Sequence, residues 1–149
     1  MSETPMNPYI EDGISRLRTK WPQSHSVSSK YGHHLVIVPS VILPKGWDKN
    51  ICTVLFIAPP GFPASCPDHF FTDIDIMLDT NTYPFQPHNT VCWNPMCEDE
   101  TKGGNFPSNL WPQWSRSMWW SWHLQMWNPN QSSLYTYMQV ILQRLKYVR

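Results

Sequence analysis

Apolar positions change period along this chain, and each change marks an element. Ile10, Ile14, Leu17 and Trp21 recur at helical spacing. Asn7-Pro8 ahead of them reads as an N-cap followed by proline at the first helical position. Glu11 and Asp12 fall early and Arg16, Arg18 and Lys20 late, which suits the helix dipole, and Pro22 ends the pattern. The spacing predicts a helix over 8–20, preceded by a loose tail at 1–6. Residues 33–43 then carry β-branched runs, Leu35-Val36-Ile37-Val38 and Val41-Ile42-Leu43, split by Pro39. They predict a strand interrupted at an edge or bulge. Leu43-Pro44-Lys45-Gly46-Trp47 reads as a turn and Cys52–Ile57 as a central strand, closed by Ala58-Pro59-Pro60-Gly61. A further strand is expected over His69–Ile76, after the rigid Phe62–Pro67 connection, giving an antiparallel meander. At the other end, Leu134, Tyr137, Met138, Ile141, Leu142 and Leu145 form a second helical stripe, predicting a helix over 132–146.

Between Leu78 and Arg116 periodicity fails, with Pro84, Pro87, Pro95, Pro107 and Pro112 interrupting it. A stretch of that length inside a compact domain points to a functional loop or lid. After it comes the most unusual part of the chain, Met118 to Asn130, which holds four of the nine tryptophans. Trp120, Trp122 and Leu124 alternate with Ser121, His123 and Gln125, so an extended segment has an apolar and a polar face. Trp127-Asn128-Pro129-Asn130 then breaks the chain ahead of the last helix. Clustered indoles bury large apolar areas and serve core or interface. The polar face places a hydroxyl, Ser121, beside an imidazole, His123.

Composition narrows the classes. The 149 residues suit one domain with a real core, and 41% hydrophobic against 15% charged residues excludes a disordered chain. Lys+Arg and Asp+Glu number 11 each, which gives no electrostatic case for nucleic acid or an anionic membrane. Fifteen prolines against six glycines imply stiff turns rather than flexible linkers. No apolar run is long enough to span a bilayer, and the first residues lack the order of a signal peptide, so the expectation is cytoplasmic. Cys52, Cys66, Cys92 and Cys97 are then expected as thiols. His88, Cys92 and Cys97 fall short of a zinc ligand set, with no distant second pair, so neither metal nor other cofactor is expected.

The order of elements resembles the ubiquitin-conjugating (UBC) fold, an α/β (α+β) arrangement with about four meandering strands flanked by an N-terminal and a C-terminal helix. Val54–Asp68 carries the most specific match, a strand followed by the aromatic-proline and proline signature. Leu43-Pro44-Lys45-Gly46-Trp47, Trp120-Ser121-Trp122-His123 and Trp127-Asn128-Pro129-Asn130 narrow it to prokaryotic ubiquitin-conjugating-enzyme-like proteins of the kind encoded beside bacterial multi-ubiquitin proteins. The similarity covers roughly residues 33–145. It implies a place in ubiquitin-like protein conjugation, with phage defence as the wider setting. The implied partners are a ubiquitin-like protein and its activating enzyme. Two features depart from the family. The usual acceptor cysteine lies about eight residues before the tryptophan of Trp-x-Pro, where this chain has Trp119, and no cysteine follows Cys97. The His-Pro-Asn triplet is also missing before the strap.

These residues leave several readings open. Ser121 with His123 as base would accept the cargo as an oxyester, since a serine hydroxyl needs its proton removed to attack. Cys97 would keep a thiol acceptor, although Glu98, Asp99 and Glu100 beside it disfavour a thiolate. A third variant is catalytically inactive and uses Trp120 and Trp122 to hold a partner. Outside conjugation, the indoles would line an aromatic pocket for a small ligand. Arg16, Arg18 and Lys20 are either the face that docks an activating enzyme, as the resemblance implies, or the ordinary solvated basic end of a helix.

Overall fold

Asn7 caps the first helix as expected: its side-chain oxygen accepts the Tyr9 backbone N–H at 2.9 Å, and Pro8 occupies the first turn. In the computed structural model, which describes residues 7–28, 32–67, 70–72, 76–80, 91–93, 118–120 and 126–148, this helix is α1, Pro8–Arg18. It stops two residues short of the predicted bound because Thr19 and Lys20 turn back onto the Arg16 and Leu17 carbonyls. The C-terminal helix is α2, Leu134–Lys146, opened by a capping box in which Ser133 and Thr136 exchange side-chain and backbone bonds.

Between the helices lies an antiparallel sheet. Its strands are β1 (His25–Ser28), β2 (His34–Ile42), β3 (Ile51–Ala58), β4 (Phe70–Thr72), β5 (Val91–Trp93) and β6 (Met118–Trp120), in the order β1-β2-β3-β4-β6-β5. The expected meander is present, and the sheet is wider than expected, since β1 and β5 add strands that no pattern predicted. The break at Pro39 is real. The β2–β3 register shifts between Val38 and Val41, where Ser40 adopts a φ of 61°.

One core cluster joins Ile10, Ile14 and Leu17 of α1 and Tyr137, Met138 and Ile141 of α2 to Val36, Val38, Val54, Phe56, Phe70 and Trp120 of the sheet. The alternate strand positions Leu35, Ile37, Leu55 and Phe71 are buried as well. Both sheet faces are therefore withdrawn from water, which is why β2 and β3 read as continuous apolar runs. The helices approach closely at Gly13, where a Cβ would lie 2.7 Å from Leu134 Cγ. Trp47, in the turn read from sequence, donates its indole N–H to the Leu145 carbonyl at 2.9 Å and ties the hairpin to α2. Gly46 beside it has a φ of 113°, and a Cβ there would lie 2.7 Å from Val148 Cγ1.

Candidate functional site

The tryptophan-rich strap is pinned on both sides of its central residues. Upstream, β6 lies between β4 and β5, with Phe70 opposite Trp120 and Thr72 opposite Met118. Met118 and Trp120 are both fully buried, as side chains two apart on one sheet face should be. Trp120 stacks on Phe70 at 5.2 Å between centroids and meets Trp47 edge-on at 5.9 Å. Its indole N–H donates to Thr72 Oγ1 at 2.9 Å, so the one polar atom of the ring is satisfied inside the core. Arg144 of α2, 2% exposed, sets its guanidinium 5.1 Å from the Trp120 ring centroid and donates to the Tyr147 carbonyl.

Downstream, Trp127 is half-buried and donates its indole N–H to the Pro63 carbonyl at 2.7 Å. Its ring lies 5.7 Å from that of Phe62. Asn7, the α1 cap, donates its side-chain amide to the Phe62 carbonyl at 2.8 Å. The N-terminus of α1, the aromatic-proline crossing and the Trp-x-Pro turn thus meet at one end of the fold. The turn itself is closed by Gln131 and Ser132 N–H groups donating to the Asn128 carbonyl, and by Asn130 N–H donating to Asn128 Oδ1.

These anchors bracket the chemistry-bearing residues in sequence. Ser121, Trp122, His123 and Cys97 themselves lie outside the described residues, as does His88. Trp120 corrects an expectation. The partner-holding reading put it with Trp122 on a binding surface, whereas it is fully buried and its ring belongs to the core. Arg16, Arg18 and Lys20 are exposed, and each already has an intrachain contact. Arg16 pairs with Asp12 at 3.0 Å, Arg18 donates Nε–H to the Ser24 carbonyl at 2.8 Å, and Lys20 lies 5.2 Å from the Trp21 ring centroid. Cys52, buried, and Cys66, half-buried in the crossing, are not joined in a disulfide. Among the described residues, no group of three or more His, Cys, Asp or Glu could hold a metal, and no helix is long and apolar enough to cross a membrane.

Four residues carry features that the sequence patterns did not reveal. Thr72 and Arg144, which hold Trp120, carry no local signal, because their contacts come from distant parts of the chain. His33 precedes β2 and His34 opens it, opposite Ala58 at the end of β3. Burial holds both imidazoles below their ordinary value of 6.5, and the neighbouring His33 lowers His34 further. Adjacent histidines were visible in sequence, but their partial burial was not.

No curated protein and no solved structure matches this chain. A family model does, over residues 17–147, and it takes in the sheet, the crossing, the strap and α2. With both signature segments joined in space through Trp127 and Pro63, the chain belongs to the prokaryotic E2 family E.

Proposed function

We propose that this protein receives a ubiquitin-like protein from an activating enzyme and carries it as an oxyester on Ser121. The observation that supports this reading is the double anchoring of the strap. Indole hydrogen bonds at Trp120 and Trp127 fix the chain on either side of Ser121 and His123, and positioning is what a nucleophile and its base require. In the proposed step the Ser121 hydroxyl oxygen attacks the carbonyl carbon of the cargo thioester held on the activating enzyme. The C–O bond forms as the C–S bond breaks. His123 takes the hydroxyl proton and passes it to the departing thiolate. Arg16, Arg18 and Lys20 form the docking face for the activating enzyme.

One observation favours a second reading. No cysteine follows Cys97, so the position that carries the thiol in the wider family is occupied by Trp119. A variant without an acceptor would hold the ubiquitin-like protein or its activating enzyme without a covalent step.

A single reaction separates these. With activating enzyme, ATP and mature ubiquitin-like protein, the first reading expects an adduct that survives thiol reductant and is cleaved by hydroxylamine. Ser121→Ala abolishes it, and His123→Ala slows its formation by roughly 100-fold. A reductant-sensitive adduct absent from Cys97→Ala moves the acceptor to the thiol. Tight binding without any adduct selects the partner-holding reading, and neither binding nor adduct contradicts both. Reversing the charges of Arg16, Arg18 and Lys20 together is expected to weaken binding to the activating enzyme and flatten its salt dependence.

A further inference from the structure

β1 is the outer strand of the sheet, and among the described residues nothing pairs with its free edge. Its sequence, His25-Ser26-Val27-Ser28, has neither the lysine nor the proline that commonly blunts such an edge. Alongside it runs α1, and between them lies a groove of about 250 Å³ lined by Glu11, Ile14, Ser15, Arg18, His25 and Ser26. Ser26 and His25 are successive strand residues and point to opposite sheet faces, so this groove wraps around the strand edge.

Charge along the groove has an order. Glu11 and Arg18 are seven residues apart, about two turns or ~10 Å, and share a face of α1 with Ser15 between them. The Asp12–Arg16 pair takes up the neighbouring charges. Glu11 has no ion pair among the described residues. Arg18 gives its Nε–H to the Ser24 carbonyl, a neutral acceptor, and has no ion pair among the described residues. The acidic end and the basic end of one helix face are thus both unneutralised, beside an open strand edge.

We propose that β1 is a self-association edge: a second copy of this chain adds antiparallel to it, β1 against β1, across a two-fold axis normal to the sheet. The geometry is self-complementary in the way such an axis demands. A two-fold reverses the direction of α1, so Glu11 of each copy meets Arg18 of the other, and the dimer and the activating enzyme compete for Arg18. Ser26 and Val27 supply the backbone pairing, and each α1 fills the groove beside the other. An unrelated extended peptide would satisfy the backbone edge equally well, but only a second copy brings the reversed charge order with it.

Sedimentation velocity of the full chain over a concentration series tests this. The wild-type chain is expected to show a monomer–dimer equilibrium that weakens as salt rises. Glu11→Arg alone and Arg18→Glu alone each place like charges together twice across the axis. Each is expected to associate roughly tenfold more weakly, or worse. An equimolar mixture of the two variants should recover association, because both contacts then pair opposite charges again. Glu11→Arg leaves the Arg18–Ser24 bond intact, so at least one single variant retains the local fold, and circular dichroism of each variant checks this. Hydrogen exchange of the amides at 25–28 should slow as the dimer forms. A chain that stays monomeric at every concentration overturns the proposal. So does a dimer of equal strength in wild type, single variants and mixture, since the interface would then lie elsewhere.

Discussion

Trp120 and Trp127 leave the same stretch of chain and finish in unlike surroundings. Trp120 is enclosed by Phe70, Trp47 and Arg144, and its N–H reaches a side chain, Thr72. Trp127 is half-buried at the rim, rests on Phe62, and its N–H reaches a backbone carbonyl, that of Pro63. The first anchor depends on core packing and on one replaceable hydroxyl. The second depends on where the crossing's backbone runs, which almost any sequence could maintain provided the crossing keeps its path. One indole therefore holds the strap to the fold, and the other sets where the strap leaves it.

Breaking the core anchor should have the largest effect. Trp120→Ala removes a fully buried ring and is expected to lower unfolding free energy by about 3–5 kcal/mol, read from chemical denaturation. Thr72→Val keeps the shape but leaves the Trp120 N–H buried without its acceptor, an expected loss of about 1–3 kcal/mol in the same measurement. At the rim, Trp127→Phe preserves a ring against Phe62 and loses only the bond to Pro63. Its expected loss is about 1 kcal/mol, and it should impair cargo transfer more than stability. A rim variant as destabilising as Trp120→Ala would erase the distinction.

The smallest effect is a control on pH. Neither indole hydrogen bond involves a titratable group, so neither should respond to mild acid. His33 and His34 should, because burial depresses both values in the folded chain. The unfolded chain then binds protons first as pH falls through 6.5, and stability drops from there until the folded imidazoles are protonated too. A melting temperature that declines modestly below neutral pH, and declines less in His34→Gln, is the expected pattern. No change in that slope would place the acid sensitivity elsewhere.

The parts of this fold that sequence reveals are those whose signals are local. Asn7-Pro8 announces α1, and the β-branched runs around Pro39 announce both β2 and its bulge, because capping and branching act on the residues that carry them. β1 is silent for the opposite reason. His25-Ser26-Val27-Ser28 is short and polar and becomes a strand by pairing with His34–Ile37. Val91–Trp93 is three residues in a region broken by prolines, and it becomes a strand by pairing with β6. Trp120 shows a subtler limit. Alternation places Trp120 on an apolar face with Trp122 and Leu124, but a period of two cannot say whether that face meets the core, where Trp120 lies with Met118. That choice rests on Phe70 and Trp47, which come from distant turns of the chain.

In the proposed function the strap between the two indole anchors carries the acyl acceptor. The most direct measurement is peptide mapping by tandem mass spectrometry of the chain after incubation with activating enzyme, ATP and ubiquitin-like protein, quenched in acid to preserve esters. The expected result is the C-terminal remnant of the cargo attached through oxygen at Ser121. A remnant on Cys97, on a lysine, or on no residue of a chain that still binds its partner would contradict it.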